Sequence, residues 1–261
     1  MVQMLMIRNG GAGEARIPKR STKEQPAEDE VVWVYAITDR LDEDQITGLT
    51  GVGGEPVRGI TEAGLTAVVG SVAARDFGED ALTSLLTGLA SIERVGRAHH
   101  QVIACVAAAG PVLPLRLAAL YSDDATVRAL LAQRRGEFAE MLATFRNTEE
   151  WGLKIYVEPG AEASADDEET AHAWEEVDAC ADMIDRTLNG IAITGRRNPS
   201  PDPQFSGSGS WMVLNGSYLL ASDRVAEFAA VAQALARTQT GVHADLTGPW
   251  PPYSFVDQLE A

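Results

Sequence analysis

Four histidines, two cysteines and a dense acidic run are the side chains of this 261-residue chain with the clearest chemical potential. His99 and His100 are adjacent, so on a helix they point to different faces. His99 falls on an apolar stripe with Ile92, Val95, Val102, Ile103 and Val106, which predicts a hydrogen-bonded core histidine. No Cys, Asp or Glu stands three or four residues from His99 to complete a helical metal pair. Cys105 and Cys180 share no metal-type spacing and cannot form a disulfide framework, which points to a reducing cytosol. Glu158 to Thr187 carries 11 acidic residues and one base, Arg186, with Asp166 to Glu169 densest and His172 nearby. Such a run either gathers a divalent cation or forms a solvated helix face. The calcium-loop pattern is missing, and the face is the simpler reading. Gly51-Val52-Gly53-Gly54 lacks the Lys-Ser/Thr of a phosphate-binding loop and reads as a tight turn. Gly207-Ser208-Gly209-Ser210 reads as linker. Arg40 follows the first strand without the glycine-rich cradle of acylphosphatase-type chemistry.

The elements that would position these residues form two similar series. Val31 to Thr38 is a strand apolar on both faces. A short helix over Leu41 to Leu49, a hairpin of Pro56 to Thr61 with Leu65 to Ala73, and a short helix over Asp80 to Leu86 follow. The long helix bearing His99 ends at Gly110-Pro111, and Val112 to Tyr121 is the next strand. Pro114 donates no ladder hydrogen bond, so that strand is expected at a sheet edge. Asp123 to Asn147 reads as one amphipathic helix.

The second half repeats the plan. A strand around Trp151 to Val157 leads to an acidic helix opened by a Ser164–Asp167 capping box and closed by Gly190. Ile191 to Thr194, a Pro/Gly/Ser loop over Arg196 to Ser210, Trp211 to Leu220, a helix from Ser222 or Asp223, and Gly241 to Leu246 complete it.

The expected fold is therefore α+β: two ferredoxin-like (βαββαβ) domains in tandem, each with strand order 4-1-3-2, a linking helix and a C-terminal tail. The boundaries are a disordered tail over 1–30, domains over 31–122 and 150–247, the linking helix over 123–149, and a Pro/aromatic tail over 248–261. Formal charge is −17, of which Glu158 to Thr187 supplies −10. This acidity argues against nucleic acid or an anionic membrane surface as partner. The uncharged run Ala98 to Leu115 contains two histidines, Gly110, Pro111 and Pro114, so it reads as helix, break and strand, not a membrane span.

Three stretches then carry a resemblance: Val112-Leu113-Pro114-Leu115-Arg116, Glu150-Trp151-Gly152-Leu153-Lys154, and Leu246-Thr247-Gly248-Pro249-Trp250-Pro251-Pro252-Tyr253-Ser254-Phe255. With Trp33-Val34-Tyr35, His99 and Asn215-Gly216-Ser217-Tyr218-Leu219, they resemble the gas vesicle GvpL/GvpF family over about Val31 to Val256. After Lys154 the family's Gly-Arg-Ala-Tyr-Leu stretch is replaced by Val157-Glu158-Pro159-Gly160 and the acidic helix.

The resemblance implies an accessory protein of gas vesicle formation and not an enzyme, located in the cytoplasm and at the gas vesicle. Its implied partners are the small hydrophobic shell protein and other accessory proteins, with no cofactor. The candidate contact residues are Leu113, Leu115 and Arg116 on the expected edge strand and Trp250, Tyr253 and Phe255 on the apolar tail. The apolar tail is expected to pack on the chain itself, because a Trp and a Phe so close together are costly to expose. The alternative is a metal- or small-ligand-binding enzyme using His99 and the acidic helix.

Overall fold

The computed structural model describes residues 30–78, 81, 88–157, 168–199, 211–237 and 242–256. Residues 1–29 of the expected tail over 1–30, the helix over Asp80 to Leu86 except Ala81, the Ser164–Asp167 capping box and most of the loop up to Ser210 lie outside them, and Glu30 opens the first strand.

The chain forms a mixed α/β structure with two antiparallel sheets. The first contains β1 (Glu30–Thr38), β2 (Val57–Glu62), β3 (Leu65–Ala73), β4 (Val112–Pro114) and β5 (Leu120–Tyr121). Its order is β2-β3-β1-β4, with β5 also paired to β1. The central strand β1 is buried on both faces, as its unbroken run of Val, Trp, Tyr and Ile requires. Trp33 and Tyr35 face α1 (Glu43–Ile46), α2 (Ala74–Phe77) and α3 (Leu89–Ala107), joining a cluster with Val95, Val102 and Val106. Val32 and Val34 face the other way, toward α4 (Asp124–Gln133) and α5 (Arg135–Thr144), with Leu131, Phe138 and Leu142. This half therefore has helices on both sides of its sheet.

The second sheet contains β6 (Thr148–Val157), β7 (Thr194–Arg197), β8 (Trp211–Ala221) and β9 (Val242–Trp250), in the order β7-β8-β6-β9. One face packs on α6 (Glu168–Asn189) and α7 (Val225–Arg237), through Leu153, Ile155, Ile184, Leu214 and Phe228. Leu219 points to the opposite face and joins the first half's core, so the two halves share packing.

Four expectations are corrected. The strand expected over Val112 to Tyr121 is two short strands. Pro114 closes the first one opposite Ala36, and the chain then turns through Ala118 at φ 71°. Leu115 N–H to the Tyr35 carbonyl (2.9 Å) and Val34 N–H to the Ala119 carbonyl (2.9 Å) keep the excursion tied to β1. The single linking helix over 123–149 is two helices with a break at Arg134, whose φ −102° and ψ 17° are not helical. Arg134 turns back to chelate Glu137 at 2.7 and 2.8 Å and lies over the Phe138 ring. The strand expected over Ile191 to Thr194 starts later, at Thr194. Ile191 and Ala192 donate back to the Leu188 carbonyl and complete the turn after α6. Finally, β9 does not stop at Leu246 but continues to Trp250, which sits opposite Glu150.

Candidate functional site

His99 is the first residue singled out by its chemistry, and the fold fully engages it. Trp33 Nε1–H donates to His99 Nδ1 at 3.0 Å. That bond places the imidazole proton on Nε2, which donates to the Leu115 carbonyl at 3.0 Å. Tyr35 lies beside the ring, with centroids 5.4 Å apart. Burial lowers the His99 pKa to about 4, so the ring is neutral at physiological pH. The Tyr35 hydroxyl continues the network to Glu55 and accepts the Val52 N–H. Gly53 N–H also donates to Glu55, at 2.8 Å. Gly70 is needed here, since a Cβ at that position would lie 2.2 Å from Glu55 Oε1. Both imidazole nitrogens are spent on structure, which leaves none for acid–base work or ligation.

The acidic helix α6 is described with side chains from Val177 onward. Arg197 on β7 bonds Asp182 at 2.7 Å and Asp185 at 2.9 Å. The Tyr218 hydroxyl donates to Asp185 at 2.6 Å. Among the described residues, no group of three or more His, Cys, Asp or Glu is placed to hold a metal ion. Asp166 and Asp167 lie outside the described residues.

The two proposed contact segments meet in space. Past Trp250 the chain forms a strap, Pro251 to Val256, with a short 3-10 turn at Tyr253–Phe255. Tyr253 packs against the α3-side cluster, whereas Phe255 and Val256 pack against the α4/α5-side cluster. The His100 Nδ1 lies 2.9 Å from the Tyr253 hydroxyl, and its neighbour His99 holds Leu115. The strap therefore packs against the cores on both faces of the first sheet. Burial and the nearby Glu150 charge raise the Tyr253 pKa, so its hydroxyl keeps the proton.

The strap is fastened to the second half as well. Glu150 on β6 is buried and accepts two bonds from Ser254: from N–H at 2.8 Å and from Oγ at 2.6 Å. Ser254 Oγ lies 3.0 Å from Ser217 Oγ, which accepts from Asn198 at 2.9 Å. Arg196 on β7 donates to the Ser254 carbonyl at 2.7 Å. Burial pushes the Glu150 carboxyl above its usual range, against the opposing pull of the Ser254 and Ser217 bonds and the Arg196 charge.

This geometry sorts the six expected contact residues. Leu113 is fully buried in the core, and Leu115 is half-buried against the same cluster. Tyr253 and Phe255 pack inward, as self-packing of the tail requires. Arg116 is exposed. Trp250 is 42% exposed, with the His100 ring 5.5 Å away. Glu150, His100, Arg196 and Ser254 escaped the sequence reading as site residues. Glu150 shares strand parity with Gly152 and Lys154, so alternation assigns it to a solvated face.

The class defined by this fold is a two-sheet α/β protein whose polar networks fasten its own parts together. Among the described residues, no helix is long and apolar enough to cross a membrane. The profile of the family described as gas vesicle synthesis protein GvpL/GvpF matches residues 31–173 and 162–257. The chain belongs to that family. It is 34% identical over 254 residues to gas vesicle protein L of Streptomyces sp. (strain CB03234), covering 89% of this chain and 95% of that one. Gas vesicle protein F of the same strain is 28% identical over 189 residues, covering 61% and 76%. The crystal structure of GvpF from Anabaena sp. PCC7120 superposes with a TM-score of 0.65 at 18% identity, over 87% of this chain and 96% of that one. GvpF from Microcystis aeruginosa gives 0.62 at 19%, over 87% and 99%.

Proposed function

We propose that this protein is an assembly factor of gas vesicle formation that binds the small hydrophobic shell protein and other gas vesicle accessory proteins. It acts in the cytoplasm and at the growing vesicle, as chaperone or minor vesicle component, without catalysis. The observation that supports this reading most is family membership across both halves, combined with Trp250 left 42% exposed beside His100. A half-exposed tryptophan at the head of a fastened strap suits an anchor for an apolar partner. The net charge of −17 keeps complexes with an aggregation-prone partner apart by mutual repulsion. In this reading 31–122 and 150–247 are ferredoxin-like units, with α4 and α5 joining them and 248–261 as tail. The sheet orders support that plan, although the crossover helix α1 has only four residues.

The test is copurification. Shell protein co-expressed with the tagged chain is expected to elute with it, and Trp250→Ala to reduce the recovered shell protein by about tenfold, the loss of roughly 1.4 kcal/mol. Absence of shell protein from the eluate contradicts the reading.

A further inference from the structure

We propose that the free edge of β2 pairs with the same edge of a second copy of this chain, as an antiparallel two-fold ladder centred on Ile60. The order β2-β3-β1-β4 leaves one side of β2 without a strand. The hairpin to β3 fixes which backbone groups face that side. Glu62 and Leu65 flank the two-residue turn Ala63-Gly64, with φ 52° and 80°, and residues flanking such a turn bond each other. Alternation then turns the N–H and C=O of Glu62, Ile60 and Arg58 toward β3, and those of Thr61, Gly59 and Val57 outward. The Val57 N–H obeys this parity, since it donates away from β3, to the Leu49 carbonyl at 3.2 Å. Gly59 and Thr61 are exposed, and among the described residues nothing bonds their outward backbone groups.

The edge is complementary to itself. In a ladder centred on Ile60, Gly59 lies opposite Thr61 of the second copy, and Thr61 opposite its Gly59. Each of these pairs exchanges two N–H···O=C bonds, so the free outward groups of both copies satisfy one another. Arg58 then stands directly opposite Glu62 of the second copy, and Glu62 opposite its Arg58. Two-fold ladders centred one residue away, on Gly59 or Thr61, lose both charge pairs. Glu62 is half-buried and has no ion-pair partner among the described residues. Arg58 spends three guanidinium donors, two on Asp124 and one on Ser71, which leaves two of its five for a carboxylate. Charges on an edge ordinarily deter pairing. Opposite signs at mirrored positions instead select one register, and a two-fold axis supplies them without any further sequence. The ladder spans only five residues, less than a stable dimer interface needs, so the association is weak and concentration-dependent. Self-pairing of this kind goes beyond the shell-protein role and does not depend on it.

Sedimentation equilibrium of the full chain tests the pairing. Across roughly 10 μM to 1 mM, the average mass is expected to rise from the monomer's 27.9 kDa toward twice that value. A mass that stays at the monomer value to about 1 mM overturns the proposal. Two substitutions test the edge. Thr61→Pro removes an outward N–H and no bond to β3, and is expected to weaken the association at least about tenfold. Glu62→Arg sets like charges opposite each other, and is expected to weaken it at least about threefold. Unchanged association in either variant overturns the proposal. Hydrogen exchange reads the native chain directly, whether or not a variant folds. At about 1 mM the Gly59 and Thr61 amides are expected to exchange at least about twofold more slowly than at about 10 μM, while those of Val34 and Val69 keep their rates. Equal rates for Gly59 and Thr61 at the two concentrations overturn the proposal.

Discussion

His99 and Glu150 show how one buried titratable residue can be read from sequence and another cannot. The stripe Val95, His99, Val102, Val106 marked His99 as interior, and it is buried with them. Its partners were not legible, since Trp33 is 66 residues away and the Leu115 carbonyl belongs to a local excursion. Neutral His99 has a folded pKa of about 4 against an ordinary 6.5. The unfolded chain therefore binds the extra proton between those values, and stability falls as pH drops through that window, by roughly 3 kcal/mol in total. Denaturant titrations at several pH values should show this slope in the native protein and lose it in His99→Gln, which is itself destabilised by about 2 kcal/mol or more. Glu150 has the opposite sign. Its folded pKa is raised, so its ionisation opposes folding, and stability falls as pH rises from the usual carboxylate range through the folded value. Glu150→Gln is expected to be as stable as the native protein or more stable at pH 7, and less pH-dependent. The same titrations check it.

At the scale of elements, most strands followed from β-branched runs and alternation, because each buries a face within its own sheet. The failures are local. Pro114 signalled an edge, and the order β2-β3-β1-β4 places β4 there. The turn at Ala118, however, depends on bonds to Tyr35 and Val34 that no local pattern announces. Strand β9 passes its expected end because Trp250 pairs with Glu150 across a register shift. The segment expected as one linking helix is two helices that close the first sheet, with Leu131 and Leu142 fully buried. Leu131→Ala or Leu142→Ala should therefore cost about 2–5 kcal/mol, as in any core. A surface linker would lose far less, and chemical denaturation separates the two outcomes.

At the scale of the molecule, the halves are joined by more than sequence. Leu219 of the second sheet and Val256 of the strap lie in the first half's core. Glu150 of the second sheet and Arg196 of β7 bond the Ser254 backbone and so tie the strap to the second half. The charge run does not map contacts, because Asp182 and Asp185 are consumed internally by Arg197. If the proposed role holds, the net charge of −17 and the exposed Trp250 should keep bound shell protein dispersed. The most direct measurement is the partition of co-expressed shell protein between supernatant and pellet, with and without this chain. Shell protein is expected to move to the supernatant and to copurify with the chain. Shell protein that pellets equally in both cases, with none bound to the chain, contradicts the assembly role.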